Sequence, residues 1–472
     1  MLDIRNVIFS DTIVALCTPQ GNGALALIRI SGSQAWQISA LITRLKSGKN
    51  LTEVASHTIH AADIYDTSSA VDAVMIFALR GPKTFTGYDT IEITCHNNPL
   101  IVQAIIELLI RHGVRPAQQG EFTRQAYENK KIDLVQAEAI NELISAQTQA
   151  ALKKSLSQLQ GSLSGIMHTI EDGLCRSIAW CESSFEFLDD EGDFHKEIYH
   201  FLTLLTQQID PILQGYAAQR QIRQGYRIAL IGGVNAGKSS LFNLLIGQKR
   251  AIVTPLAGTT RDSIESTVIM AGITTTFIDT AGLRTTADVI EQEGIERSYA
   301  EAHASDVILL VIDGSAELTT QEREIYSDLI AKYPQKIIFI QNKADLKQNV
   351  HEFLEAHISI AHPERSRRVI ISTQNITCKP ILETEILKKI SALSEHHELP
   401  FLVNKRHFEL LQSVSHDITQ VKNMLESSNG SPHYELISYH LKQALERISE
   451  VTGKSVSEQA LDRVFKEFCV GK

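Results

Sequence analysis

The residues with the plainest chemistry are Gly232-Gly233-Val234-Asn235-Ala236-Gly237-Lys238-Ser239. They fit the pattern G-x-x-x-x-G-K-S/T and follow a strand-like apolar run at 227–231. Ser240-Leu241-Phe242-Asn243 then opens a helix. Glycines let backbone N–H groups converge on phosphate oxygens. The helix N-terminus adds donors and a favourable dipole. Lys238 would reach the β- and γ-phosphates, and the Ser239 hydroxyl would ligate Mg²⁺. An accidental glycine-rich turn would not need both the strand before it and the helix after it.

Three further elements choose among nucleotides. Asp279-Thr280-Ala281-Gly282 closes a strand, where the acid would hold Mg²⁺ through water and the glycine would meet the γ-phosphate. Asn342-Lys343-Ala344-Asp345 ends another strand. A carboxylate at Asp345 accepts both N1–H and N2–H of guanine, a donor pair adenine lacks, so it selects GTP. Ser372-Thr373-Gln374 follows the last strand and would support the base through backbone groups. In this order the set resembles the translation-factor-like GTPases. Gly258-Thr259-Thr260-Arg261-Asp262 supplies Thr260 to close the Mg²⁺ shell, and hydrolysis would release that loop. An ordinary polar loop is the bland alternative. Leu283 stands where Ras-like enzymes place a water-positioning glutamine. Leucine cannot orient water, and no arginine finger is evident. Glu291, Glu293 and Glu296 are the candidates, with Arg284 nearby.

These groups need elements to carry them. Over about 225–394, strand runs at 227–231, 275–279, 307–313, 336–341 and 368–372 alternate with helical patterns. That predicts a mostly parallel sheet with helices on both faces. The first 130 residues predict a compact α+β domain with strands near 24–30, 74–79 and 91–95 and one clear helix. Asn98 would cap that helix, Pro99 would take its first position and Gly113 would end it. From 134 to 180 the pattern is helical, with Leu134, Ala137, Ile140 and Ile144 on one face. Another helix is expected over 195–219. Leu411, Val414, Ile418, Val421 and Leu425 form a near coiled-coil seam, and Ile437, Leu441, Ala444 and Ile448 form a second. A turn at 430–432 would join them, and PERSRR within 362–368 reads as a solvated loop. The expected organisation is an N-terminal domain at 1–130, a G domain at 225–394, and a discontinuous helical domain formed by 131–224 and 395–472.

Composition narrows the class. The 472 residues carry 45 basic and 55 acidic side chains, a net charge of −10, which excludes a protein that coats nucleic acid by charge alone. A nucleic acid presented by a partner stays open. The scattered cysteines form no C-x-x-C and fit reduced thiols. No secretory signal or membrane-length apolar run is evident. The expectation is a soluble, cytoplasmic, multi-domain protein.

At the level of the whole chain, the sequence resembles the MnmE (TrmE) family of tRNA-modifying GTPases. The resemblance rests on Asp11-Thr12-Ile13-Val14-Ala15 with Thr18-Pro19, and on Ile28-Arg29-Ile30-Ser31-Gly32. Phe85-Thr86-Gly87, Gly120-Glu121-Phe122-Thr123, Lys131-Ile132-Asp133-Leu134 and Gln136-Ala137-Glu138-Ala139-Ile140 extend it. The G-domain motifs and the terminal Cys469-Val470-Gly471-Lys472 complete it. The resemblance implies a homodimer formed through folate-binding-like N-terminal domains holding 5-formyl- or methylene-tetrahydrofolate. It assigns Arg29, Glu92, Lys131 and Lys472 to folate, although Arg29 and Glu92 would also make an ordinary surface pair. Cys469 has a possible role near the folate, or a structural one.

The resemblance also implies K⁺-activated GTP hydrolysis. It points to Asn235, Thr254, Leu256 and Thr259 as K⁺ ligands and to Glu291 as the group that orients water. The stretch Thr254, Pro255, Leu256, Ala257, Gly258, Thr259 and Thr260 would line the nucleotide. With an FAD-dependent GidA/MnmG-like partner, in a heterotetramer or larger complex, the enzyme would act on tRNA. It would add an aminomethyl or carboxymethylaminomethyl group to C5 of the wobble uridine, using a folate-derived one-carbon unit. Two departures fall in the N-terminal domain: Cys95-His96-Asn97-Asn98 replaces a Gly-His-Gly-Gly segment, and Asn22 breaks a Gly-Arg-Gly-Gly one. The rival readings are a regulatory GTPase of RNA or ribosome assembly without modification activity, and a dimeric scaffold whose folate site has decayed.

Overall fold

The computed structural model describes residues 12–19, 21, 23–186, 194–216, 219–247, 264–279, 290–347, 368–393, 399–427 and 433–471. The chain divides into two compact units. One is Met1–Ser145, Ser155–Leu213 and Val403–Lys472, and the other is Ala146–Lys154 and Gln214–Leu402. It is a multi-domain chain with an α+β N-terminal region, a helical region and a Ras-like G domain.

The N-terminal region is built on a seven-stranded sheet of order β3-β4-β5-β6-β2-β1-β7. In chain order these are Ile13–Leu16, Leu25–Ser31, Thr43–Leu45, Thr58–Asp66, Ser69–Leu79, Thr90–His96 and Arg115–Pro116. Alternation decides the faces: Ala26, Ile28 and Ile30 point into the core with Ile91, Ile93 and Ile76, while Leu25 stays exposed. The helix Pro99–Arg111 lays Val102, Ile105, Leu108 and Leu109 on that core. Asn98 accepts from the Leu100 N–H as its cap. The sequence predicts one helix here, but Ala35–Ile42 and Glu121–Glu128 are helices too. Both are eight residues long, too short for a helical period to stand out. The strand expected at 74–79 begins at Ser69, because a tight turn pairs Asp66 with Ser69 and extends the hairpin.

The helical stretch from 134 resolves into Leu134–Ser145, Gln149–Leu159 and Ser162–Glu186. Ile144, expected on a buried face, is 45% exposed, one residue before its helix ends. The helix expected over 195–219 is Phe194–Gly215, followed by Gln219–Gln224. Both predicted seams are buried, in Lys405–Ser427 and Tyr434–Thr452, which pack on each other. The turn at 430–432 and the 362–367 stretch lie outside the described residues.

A charged knot ties the first of these helices to a late one. Glu138 accepts from Arg406 Nε at 2.9 Å and Nη2 at 2.7 Å, and from Asn404 Nδ2 at 3.0 Å. His407 Nε2 lies 2.6 Å from the same carboxylate. Burial works to raise the pKa of Glu138, but His407 and Arg406 outweigh it and hold the carboxyl well below its ordinary value.

The G-domain sheet has six strands, in order β13-β12-β11-β8-β10-β9. They are Tyr226–Gly232 (β8), Ile264–Met270 (β9), Ile273–Asp279 (β10), Val307–Asp313 (β11), Ile337–Asn342 (β12) and Arg368–Ile370 (β13). All pairs are parallel except β9 with β10. Ile228, Leu230, Leu309 and Val311 face one helical layer, and Ala229, Ile231, Ile308 and Leu310 face the other. This two-sided burial makes the strands continuous apolar runs. Strand β9 is absent from the sequence-based expectation; Ala271-Gly272, both at positive φ, is the hairpin signal that marks it. Among the described residues, no helix is long and apolar enough to cross a membrane.

Candidate functional site

The phosphate-binding pattern occupies the turn between β8 and the helix Lys238–Ile246. Gly237 precedes the first helical residue at φ 94, a left-handed conformation that disfavours a side chain. A Cβ there would also come 2.1 Å from Asn342 Nδ2. Asn235 is exposed, at φ 61. Lys238 is 8% exposed, and its ammonium donates to the carbonyls of Gly232 and Gly233, both at 2.8 Å. Burial pushes its pKa down, against the opposing pull of Asp279 and Glu322. Ser240 is exposed on the first helical turn.

Asp279 ends β10, beside β8 in parallel register, and is 2% exposed. Its Oδ2 accepts from the Ser239 hydroxyl at 2.8 Å. Two hard oxygen groups thus meet at the foot of the loop, a donor set that suits Mg²⁺.

The segments expected to recognise the base converge at the same end of the sheet. Asn342 is fully buried, donates from Nδ2 to the Ala236 carbonyl at 2.9 Å and accepts from the Thr373 N–H at 3.2 Å. Lys343, at φ 60, pairs through its ammonium with Asp313 at the end of β11. Asp313 also accepts from the Ser315 N–H at 2.9 Å and hydroxyl at 2.6 Å. Burial would raise the pKa of Asp313, but Lys343 and Ser315 lower it on balance. Asp345 and Gln374 are exposed, while Ser372 and Thr373 are half-buried. The Ala344 N–H donates to Ile371 O at 3.0 Å, holding the two loops together.

Not every expected residue is placed. Thr254, Pro255, Leu256, Ala257, Gly258, Thr259, Thr260, Thr280, Ala281, Gly282, Leu283 and Arg284 lie outside the described residues. Glu291 is in the first turn of the helix Ile290–Ala304. Sequence reasoning missed Asp313, Glu322 and Tyr326, which touch this loop cluster. For Asp313 the signal was an acid followed by Gly314-Ser315 at the end of a buried strand.

A second set gathers on the N-terminal sheet. Arg29 and Glu92 are cross-strand partners, and Arg29 Nε donates to Glu92 Oε1 at 2.7 Å. The guanidinium lies 6.0 Å from the Phe85 ring centre and 5.5 Å from that of Phe122. In the same domain the Ser31 hydroxyl meets Thr86 Oγ1 at 2.8 Å and donates to Gln125 Oε1 at 2.9 Å. The Phe85-Thr86-Gly87 and Gly120-Glu121-Phe122-Thr123 motifs thus both reach Arg29, through Phe85 and Phe122.

The C-terminal tail reaches the same sheet. Val470 bridges to Gln119, and the Cys17 thiol donates to Gly471 O at 3.0 Å. Leu16, just before Cys17, pairs with Ile28, the neighbour of Arg29. Lys131 is exposed, as is the free thiol Cys469, and Lys472 lies outside the described residues.

A mostly parallel sheet carrying a phosphate loop after β8 and Asn-Lys-x-Asp after β12 defines a P-loop GTPase. The family model described as "GTP-binding protein TrmE N-terminus" matches residues 12–131, and "MnmE helical domain" matches 134–469. The tRNA modification GTPase MnmE of Bacillus cytotoxicus is 36% identical, over 98% of this chain and 99% of its own length. That of Christiangramia forsetii is 32% identical, over 98% and 99%. The chain belongs to the tRNA modification GTPase MnmE family. Among solved structures, the G domain of the T. maritima FeoB iron transporter is 23% identical. It covers 35% of this chain and 98% of its own, at a TM-score of 0.26.

Proposed function

We propose that this protein is a K⁺-activated GTP hydrolase of tRNA modification. With an FAD-dependent partner it adds an aminomethyl or carboxymethylaminomethyl group to C5 of the wobble uridine, drawing the carbon from a reduced folate. The full-length match to tRNA modification GTPases carries this reading. The pairing of Ser239 with Asp279 and the joining of the nucleotide loops by Asn342 support its GTPase half.

In this reading Lys238 neutralises charge on the β- and γ-phosphates, and backbone N–H groups of 235–239 cradle them. Ser239, Thr260 and Asp279 would hold Mg²⁺, and the ion when bound would offset charge developing on the phosphates. Asp345 accepts the guanine N–H pair, and Ser372, Thr373 and Gln374 flank the base. Glu291 orients the attacking water, a task Leu283 cannot perform. Asn235, Thr254, Leu256 and Thr259 would supply oxygens to K⁺, which would bring positive charge where no arginine finger stands.

The folate would sit at Arg29 and Glu92, with Lys131 and Lys472 as further cations for its carboxylates. The tail contacts at Val470 and Gly471 favour this, since they bring the chain end to the sheet that carries Arg29. The active form would be a cytoplasmic homodimer.

The test is nucleoside mass spectrometry of tRNA from cells lacking the protein. Loss of the C5 modification on wobble uridine is expected, and an unchanged modification profile would sink the proposal.

A further inference from the structure

The peptide joining Gly232 to Gly233 is held at both ends. Its carbonyl accepts the Lys238 ammonium at 2.8 Å. Its N–H donates to the Tyr326 hydroxyl at 2.6 Å. A peptide is a rigid plane, so holding the N–H sets the direction of the carbonyl on its other side. Tyr326 comes from the helix Thr320–Lys332 and is 3% exposed, packed with Ile231, Leu329 and Phe339. Burial, reinforced by the Glu322 carboxylate, pushes its phenol well above the ordinary value. It therefore remains a neutral acceptor at any working pH.

Glu322 closes the arrangement from one turn earlier on the same helix. Its Oε2 accepts from the Thr319 N–H and hydroxyl, each at 2.9 Å, as a component of a capping box. Its Oε1 lies over the loop: a Cβ on Gly233 would stand 2.0 Å from it. The loop residue is thus pressed between a fixed carboxylate and a fixed hydroxyl, with no room for a side chain.

We propose that Tyr326 is a positioning residue for the GTP site. Its hydroxyl sets the Gly232–Gly233 peptide, and through that peptide it sets the Lys238 ammonium where the phosphates must meet it. The inference deepens the GTP-hydrolase reading and rests on it. Tyr326 touches no nucleotide; it acts through the loop.

Tyr326→Phe in the full-length protein keeps the ring and removes the acceptor. Kd for fluorescent GTP and for fluorescent GDP should both rise about fivefold to tenfold, because a buried N–H loses its partner and Lys238 loses its orientation. KM for GTP should rise in step, and kcat should also fall by about twofold to fivefold, because Lys238 offsets charge on the phosphates in the transition state as well as in the bound ground state. Ile330→Val, on the same helix and equally buried, is the control for stability. It should lower the melting temperature by a similar amount and leave both Kd values at wild type. An unchanged Kd in Tyr326→Phe, or an equal rise in Ile330→Val, overturns the proposal. Wild-type protein that binds neither nucleotide overturns the underlying reading and this one with it.

Discussion

Asn342 donates its side-chain N–H to the Ala236 carbonyl across 2.9 Å, joining the loop proposed to recognise the base to the Gly232–Ser239 loop. Its Oδ1 accepts from Thr373, so one buried amide holds three nucleotide segments in register. Asn342→Ala should therefore weaken GTP and GDP alike. Leaving buried partners unpaired costs about 1–3 kcal/mol, and Kd should rise roughly tenfold or more in a fluorescent-nucleotide titration. An unchanged Kd would mean that the loops hold their places without it.

The proposed ion and water roles separate in turnover assays. Hydrolysis should be markedly faster in K⁺ than in Na⁺ at equal ionic strength. Glu291→Ala should lower kcat by about 10²- to 10⁴-fold, the range for a lost general acid–base group, while GTP binding persists. Equal turnover in the two salts would remove the ion from the mechanism.

Arg29 already has a partner in Glu92, so its substitution tests two readings at once. If the pair forms the folate site, Arg29→Ala should weaken 5-formyltetrahydrofolate by roughly tenfold or more, as expected when a charge-assisted hydrogen bond is lost. Calorimetric titration reads this directly. A lower melting temperature with unaltered folate affinity would instead mark the pair as structural.

Glu138 should make stability fall in acid. Its carboxyl is held below the ordinary 4.5 in the folded chain. The unfolded chain therefore takes up protons first as pH drops, and the stabilisation present above about pH 4.5 is lost progressively below it. Glu138→Gln leaves Arg406 without its counter-charge and should cost about 3–5 kcal/mol near neutral pH. Melting curves should show the gap between wild type and variant closing as pH falls beneath 4.5. A gap that stays constant would mean that the charge on Glu138 contributes nothing.

Much of the G domain is legible in the sequence. The segment 232–239 is readable because phosphate binding needs glycines, a lysine and a hydroxyl on contiguous backbone, beside a strand and a helix start. The parallel sheet is legible for a similar reason: strands buried on both faces are unbroken apolar runs. Tyr326 is not, since it meets the phosphate loop only after its helix has packed on the sheet, and the acid of Asp313-Gly314-Ser315, though it stands out at the end of its strand, finds Lys343 only once β11 and β12 have paired. The short helices Ala35–Ile42 and Glu121–Glu128 escape because eight residues, about two turns, are too few to establish a helical period against loop or strand.

The sequence by itself determined the nucleotide class, the family, and which residue types stand at each chemical position. These are local properties, written in neighbouring residues. Tertiary structure alone decided that Arg29 meets Glu92, that Glu138 is caged by Arg406 and His407, and that Tyr326 holds the peptide on which Lys238 rests. Those contacts join residues 63 to 269 positions apart. Register between strands and packing of distant helices set them, and no short stretch of chain encodes either.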